Sequence, residues 1–88
     1  MTDAPLDPRR KRLLYRANYR GFKEADILIG GFAKAYIHDF TDEELDQFEQ
    51  LLTAKDHDVY AWYTGAQDIP PAFDTPLFTR LKAYAPSH

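Results

Sequence analysis

Tyr19-Arg20-Gly21-Phe22-Lys23-Glu24, followed by Ala25-Asp26-Ile27-Leu28-Ile29-Gly30-Gly31-Phe32, is the stretch whose reading decides the fold. Glycine turns a chain between helices cheaply, because a positive φ brings no Cβ clash. If Gly21 closes one helix, Arg20 lies in that helix's last turn, where a cation suits the negative end of the dipole. Glu24 then falls in the first turn of the next, where a carboxylate suits the positive end. On local physics alone, Arg20 and Glu24 are two good helix-end residues within reach of a salt bridge.

Downstream of the corner, Ala25, Leu28, Ile29, Phe32 and Tyr36 recur at i, i+3, i+4, i+7 and i+11, a single helical stripe. The second helix therefore runs from Phe22 or Lys23 to about Ile37. Gly30-Gly31 inside it costs about 1 kcal/mol per glycine against alanine. Close approach of a neighbouring backbone or a bulky aromatic is the expected compensation. Upstream, Asp7-Pro8 is an N-cap acid followed by proline at the first helical position. The first helix extends from Pro8 to about Tyr19, with Leu13, Leu14 and Ala17 facing inward. Its first turn holds Arg9, Arg10, Lys11 and Arg12, where positive charge opposes the dipole. Acids elsewhere on the surface are the expected partners of that face.

His38-Asp39-Phe40 connects to Thr41-Asp42-Glu43-Glu44, a capping box. The third helix continues to about Thr53 and buries Leu45, Phe48, Leu51 and Leu52. Asp56-His57-Asp58 opens a fourth through Val59, Trp62 and Tyr63, stopped by Gly65. Adjacent helical positions diverge by about 100°, so those three polar residues suit a helix N-terminus better than a metal ion. Gln67 to Phe73, with Pro70-Pro71, is an extended linker. Thr75-Pro76 caps a last helix that turns Leu77, Phe78, Leu81 and Tyr84 inward. No stretch alternates as a strand does. The expected fold is all-α, a bundle of about five short helices. Residues 1–7 read as a flexible N-terminal tail, 8–85 as a single helical domain and 86–88 as a C-terminal tail.

The chain has 88 residues, of which 44% are hydrophobic and 28% charged, enough for one core and too few for two. Without cysteine it forms no disulfide, thiolate zinc site or iron–sulfur cluster and has no cysteine nucleophile. No apolar run approaches the roughly 20 residues needed to span a bilayer, so membrane insertion is not expected. The N-terminus carries no secretory h-region, and Asp3 and Asp7 interrupt the basic stretch, so the expected compartment is a bacterial cytoplasm.

The net charge of −3 is polarised, with six bases against two acids in residues 1–20 and five bases against twelve acids in residues 21–88. An acidic body is a poor general binder of nucleic acid. A basic N-terminal segment on that body suits a protein partner with an acidic surface. The competing reading is a small helical nucleic-acid-binding or regulatory module built on the basic first helix. It would need a second basic stripe, and the later helices are acidic. His38, His57 and His88 have no partner whose spacing demands it, and Ser87 is the only serine. Catalytic, cofactor-binding and metal-binding residues are accordingly not assigned, and an enzyme is not expected.

Arg20-Gly21-x-x-Glu24, directly after a basic helix, resembles the RGxxE signature of the succinate dehydrogenase assembly factor 2 family, the flavinator proteins. Asp26 extends it to R-G-x-x-E-x-D. Asp56-x-Asp58-Val59-x-x-Trp62 resembles that family's D-x-D-L-x-x-W helix, with valine where leucine is usual. The Pro70-Pro71 linker leads into a short closing helix, as it does there. The resemblance spans about residues 9–84. It implies a chaperone-like assembly factor that promotes covalent attachment of FAD to the flavoprotein subunit of succinate dehydrogenase and, in bacteria, of fumarate reductase. No flavin would be held durably by this chain. The bond forms between a histidine of the partner and the 8α-methyl of FAD, and the factor assists by positioning.

The partner-binding residues so implied are Arg20, Gly21 and Glu24, with Arg16, Phe22, Lys23 and Asp26 around them. Gly21 lets a partner approach the backbone, and Arg20 offers a planar donor fork. Asp26 suits partner contact or a local hydrogen bond equally. Trp62 suits the core better than an interface, because its helix needs a large apolar anchor.

Overall fold

Asp7 starts the first helix, α1 (Pro8–Asn18), in a computed structural model that describes residues 6–18 and 21–85. Its carboxylate accepts from the Arg10 amide at 3.4 Å and from the Arg10 guanidinium at 2.8 Å. The guanidinium bond holds the Asp7 carboxyl below the usual carboxylate range. Leu13 and Ala17 are buried, while Leu14 and, ahead of the helix, Leu6 pack half-buried against the core. Tyr19, the expected last residue of this helix, lies outside the described residues.

Arg9 and Arg10, in the first turn, oppose their own helix dipole and find other partners. Arg9 pairs with Asp46 at 2.6 Å and Glu49 at 3.0 Å on the third helix. Arg10 donates through Nε to the Ile37 carbonyl at 2.9 Å and through Nη2 to the Phe40 carbonyl at 2.5 Å. Those carbonyls close the second helix, so a cation at the wrong end of α1 serves the right end of its neighbour.

The second helix, α2, is made of three consecutive segments. They are Lys23–Ala25, α-helical, Asp26–Gly30, π-helical, and Gly31–Tyr36, α-helical again, followed by a 3₁₀ turn at Ile37–Asp39. Ala25, Leu28, Ile29 and Phe32 are buried as expected. Tyr36, expected inward, is 38% exposed, and Ile37 is buried instead. The wider π turn advances each residue through a smaller angle, so the stripe slips by one position past it.

The glycine pair has the expected reason. A Cβ on Gly30 would stand 2.6 Å from Asn18 Oδ1 and 3.3 Å from the Ala17 carbonyl, so α1 crosses on top of it. A Cβ on Gly31 would stand 2.7 Å from the Tyr84 hydroxyl. One glycine admits a backbone and the other an aromatic ring.

α3 (Asp42–Leu51) begins with the capping box: Thr41 Oγ1 accepts from the Glu44 amide at 3.1 Å, and Glu44 Oε1 from the Thr41 amide at 3.0 Å. α4 (Asp56–Thr64) ends at Gly65, whose φ is +87°. A 3₁₀ turn at Pro71–Phe73 then leads into α5 (Pro76–Ala83). Thr75 Oγ1 accepts from the Phe78 amide at 3.2 Å, and Gln47 of α3 reaches across to accept from the Leu77 amide at 3.1 Å. Pro76 has no N–H to satisfy, and the next two amides of α5 are thus met, one of them by another helix. Arg80 binds Glu44 at 2.9 Å with its guanidinium over the Tyr36 and Phe40 rings.

Phe32, Phe48 and Phe78 are fully buried at the centre. Trp62 is a core residue, 6% exposed, stacked on Phe73 with centroids 5.0 Å apart and edge-on to Phe78. The fold is all-α, with five helices and no strand among the described residues. No helix in them is long and apolar enough to cross a membrane.

Candidate functional site

The bend between α1 and α2 is built by Gly21 and Phe22. Gly21 has φ +92°, is exposed, and has nothing within 4 Å of where a Cβ would stand. Its requirement for glycine is therefore conformational, and the space beside its backbone is open. Phe22 turns the other way, in extended conformation at φ −113° and ψ 113°, and anchors the bend. Its ring lies 4.2 Å from His57 and edge-on to Tyr60 at 5.9 Å, both on α4.

Lys23 and Glu24 follow in the first turn of α2, both exposed, while Ala25 turns into the core. Gly21, Lys23 and Glu24 are thus all exposed, within four positions of one another, on either side of the anchored Phe22. Asp26 opens the π segment and is half-buried. Arg16 is exposed in the last turn of α1. Arg20, with the bridge to Glu24 expected from sequence, lies outside the described residues.

Sequence reasoning missed the part played by α4. The sequence places His57 only at a helix N-terminus and does not single out Tyr60, and no spacing in the chain links either to Phe22. The only trace was an aromatic following a turn glycine, since a bend with a large apolar side chain needs something to cover it. Among the described residues no three histidine or acidic side chains gather as metal ligands. Of the bases that the nucleic-acid reading needs, Arg9 and Arg10 are engaged within the fold.

A small five-helix bundle with an exposed glycine bend between its first two helices is the class of protein that the fold defines. Comparison with known proteins narrows the class. A family model described as "Flavinator of succinate dehydrogenase" matches residues 11–85. The chain is 36% identical over 88 residues to succinate dehydrogenase assembly factor 2-B, mitochondrial, of Drosophila yakuba, covering 98% of this chain and 56% of that one. It is 39% identical over 84 residues to factor 2-A, mitochondrial, of Drosophila mojavensis, covering 93% and 54%. With succinate dehydrogenase assembly factor 2, mitochondrial, of Debaryomyces hansenii it shares 41% identity over 73 residues, covering 83% and 51%. The chain belongs to the flavinator of succinate dehydrogenase family. It spans about half the length of these curated relatives.

The expectation of a bacterial cytoplasm is corrected by the same comparison, because these relatives are eukaryotic proteins named as mitochondrial. The physical reason is simple. Burial, capping and ion pairing obey the same rules in every aqueous compartment, so the acids at Asp3 and Asp7 carry no address.

Proposed function

We propose that this chain is a succinate dehydrogenase assembly factor that binds the immature flavoprotein subunit and promotes covalent attachment of FAD to it. Family membership supports the assembly role. The observation that carries the docking site is Gly21, exposed at φ +92° with open space beside it, next to an exposed Glu24. A partner can lie against that backbone and meet Lys23 and Glu24 at once, with Arg20 adjacent in the chain. Phe22, packed against His57 and Tyr60, ties the start of α2 to α4. FAD belongs to the partner in this reading. The factor contributes alignment of the partner's histidine with the flavin methyl group and performs no bond chemistry of its own. The flavoprotein of fumarate reductase is the second partner to assay.

The test combines the purified apo flavoprotein subunit, FAD and a dicarboxylate with this chain, wild type or Glu24→Ala. Flavin fluorescence retained by the subunit on a denaturing gel reports covalent attachment. Faster attachment with wild type than with Glu24→Ala is expected. Equal acceleration by both would move the site away from the bend, and acceleration by neither would reject the assembly role.

A further inference from the structure

Lys11, Leu14, Tyr15 and Asn18 lie at i, i+3, i+4 and i+7 on α1, a second stripe beside the one that buries Leu13 and Ala17. With Lys34 of α2 they line a groove of about 400 Å³, open to solvent. Its floor is the half-buried Leu14 and Asn18, and its walls are the exposed Lys11, Tyr15 and Lys34. Tyr15, at 65%, heads the large hydrophobic side chains left exposed among the described residues.

The function proposed above uses none of these five residues. Among the described residues no carboxylate lines the groove, although residues 21–88 carry twelve acids against five bases. A cationic, tyrosine-flanked groove on an otherwise acidic body selects an anionic ligand by exclusion as well as by attraction. Asn18, which lines the groove, is three positions before Gly21 in the chain.

We propose that this groove is a second docking surface for the flavoprotein partner and takes an acidic segment bearing an apolar side chain. Lys11 and Lys34 meet its carboxylates, and Tyr15 covers the apolar side chain over Leu14. The proposal rests on the assembly reading and adds the chemistry of what is bound. Tyrosine at such a place contributes large contact area with few rotatable bonds, whereas the lysines set orientation and encounter rate.

The experiment measures binding of the full chain to the purified apo flavoprotein subunit across a salt series. Wild type is compared with Lys11→Glu/Lys34→Glu, with Tyr15→Ser, with Glu24→Ala, and with Lys55→Glu/Lys82→Glu, a reversal of two exposed lysines outside the groove. Circular dichroism confirms that each is folded. The double reversal in the groove is expected to weaken binding about tenfold and to remove most of its salt dependence. Tyr15→Ser should weaken it by a similar factor without changing the salt slope, and Lys55→Glu/Lys82→Glu should stay within twofold of wild type.

Groove variants that bind within twofold of wild type, while Glu24→Ala is impaired, would overturn this proposal and leave the docking bend standing. Equal weakening by both double reversals would also overturn it, by reducing the effect to net charge. Failure of wild type to bind the subunit at all would overturn both readings. Tight, steeply salt-dependent binding of duplex DNA that displaces the subunit would do the same in favour of a nucleic-acid module.

Discussion

Replacing Gly30 by alanine sets helix propensity against packing. Gly30 has φ −64° and ψ −42°, so alanine meets no backbone strain there. Propensity alone favours the substitution by about 1 kcal/mol. The new methyl, however, would stand 2.6 Å from Asn18 Oδ1, 3.1 Å from Asn18 Cγ and 3.3 Å from the Ala17 carbonyl. Asn18 must swing away, giving up the bond from its Nδ2 to the Leu14 carbonyl at 2.8 Å. That loss is worth about 1 kcal/mol, and overpacking adds about 1–3 kcal/mol. The expected net is a destabilisation of about 2 kcal/mol, or a fall in Tm on the order of 10 °C for a chain of this size.

Urea unfolding of Gly30→Ala, Asn18→Ala and the double variant isolates the cause. On the Asn18→Ala background the tightest obstacle is gone, and Gly30→Ala should be near neutral. The coupling energy should then reach about 1–2 kcal/mol. Gly31→Ala is the internal comparison, since its methyl meets only the far end of the Tyr84 side chain, at 2.7 Å. It should stay within about 1 kcal/mol of wild type. A Gly30→Ala chain at least as stable as wild type, or strictly additive with Asn18→Ala, would refute this account of the α1–α2 crossing.

Three further outcomes follow from other parts of the molecule. Gly21→Ala should cost about 1–2 kcal/mol from the positive φ alone, and Gly21→Asn less, because asparagine tolerates the left-handed region; urea midpoints at constant slope check both. Arg80→Ala removes the Glu44 ion pair and the cation above Tyr36 and Phe40. It should destabilise by about 1–2 kcal/mol, with Arg80→Lys recovering only part, as thermal unfolding would show. Burial disfavours ionisation of Glu44, but the Thr41 amide and Arg80 outweigh it and hold the carboxyl below its ordinary value of 4.5. The resulting stabilisation is present above about pH 4.5 and is lost as pH falls through the lower folded value. Unfolding midpoints of Glu44→Gln should accordingly vary less with pH below 5 than those of wild type.

Periodicity and capping chemistry are local, and they were legible without coordinates. The stripe from Ala25 to Phe32, the Thr41–Glu44 box, the Thr75-Pro76 start and the turn at Gly21 each depend on residues within one or two helical turns. The same is true of the RGxxE pattern, which pointed to the family before any packing was known.

What crosses between helices was decided only by tertiary structure. The π turn at Asp26–Gly30, the outward rotation of Tyr36 and the capping of α5 by Gln47 have no local signature. Arg9 and Arg10 look misplaced on their own helix until the acids of α3 and the carbonyls closing α2 come within reach. Phe22 likewise finds His57 and Tyr60 only when α4 folds against the bend. The contacts of Gln47, Arg9, Arg10 and Phe22 join residues far apart in the chain, and their energies depend on distances that the order of residues does not contain.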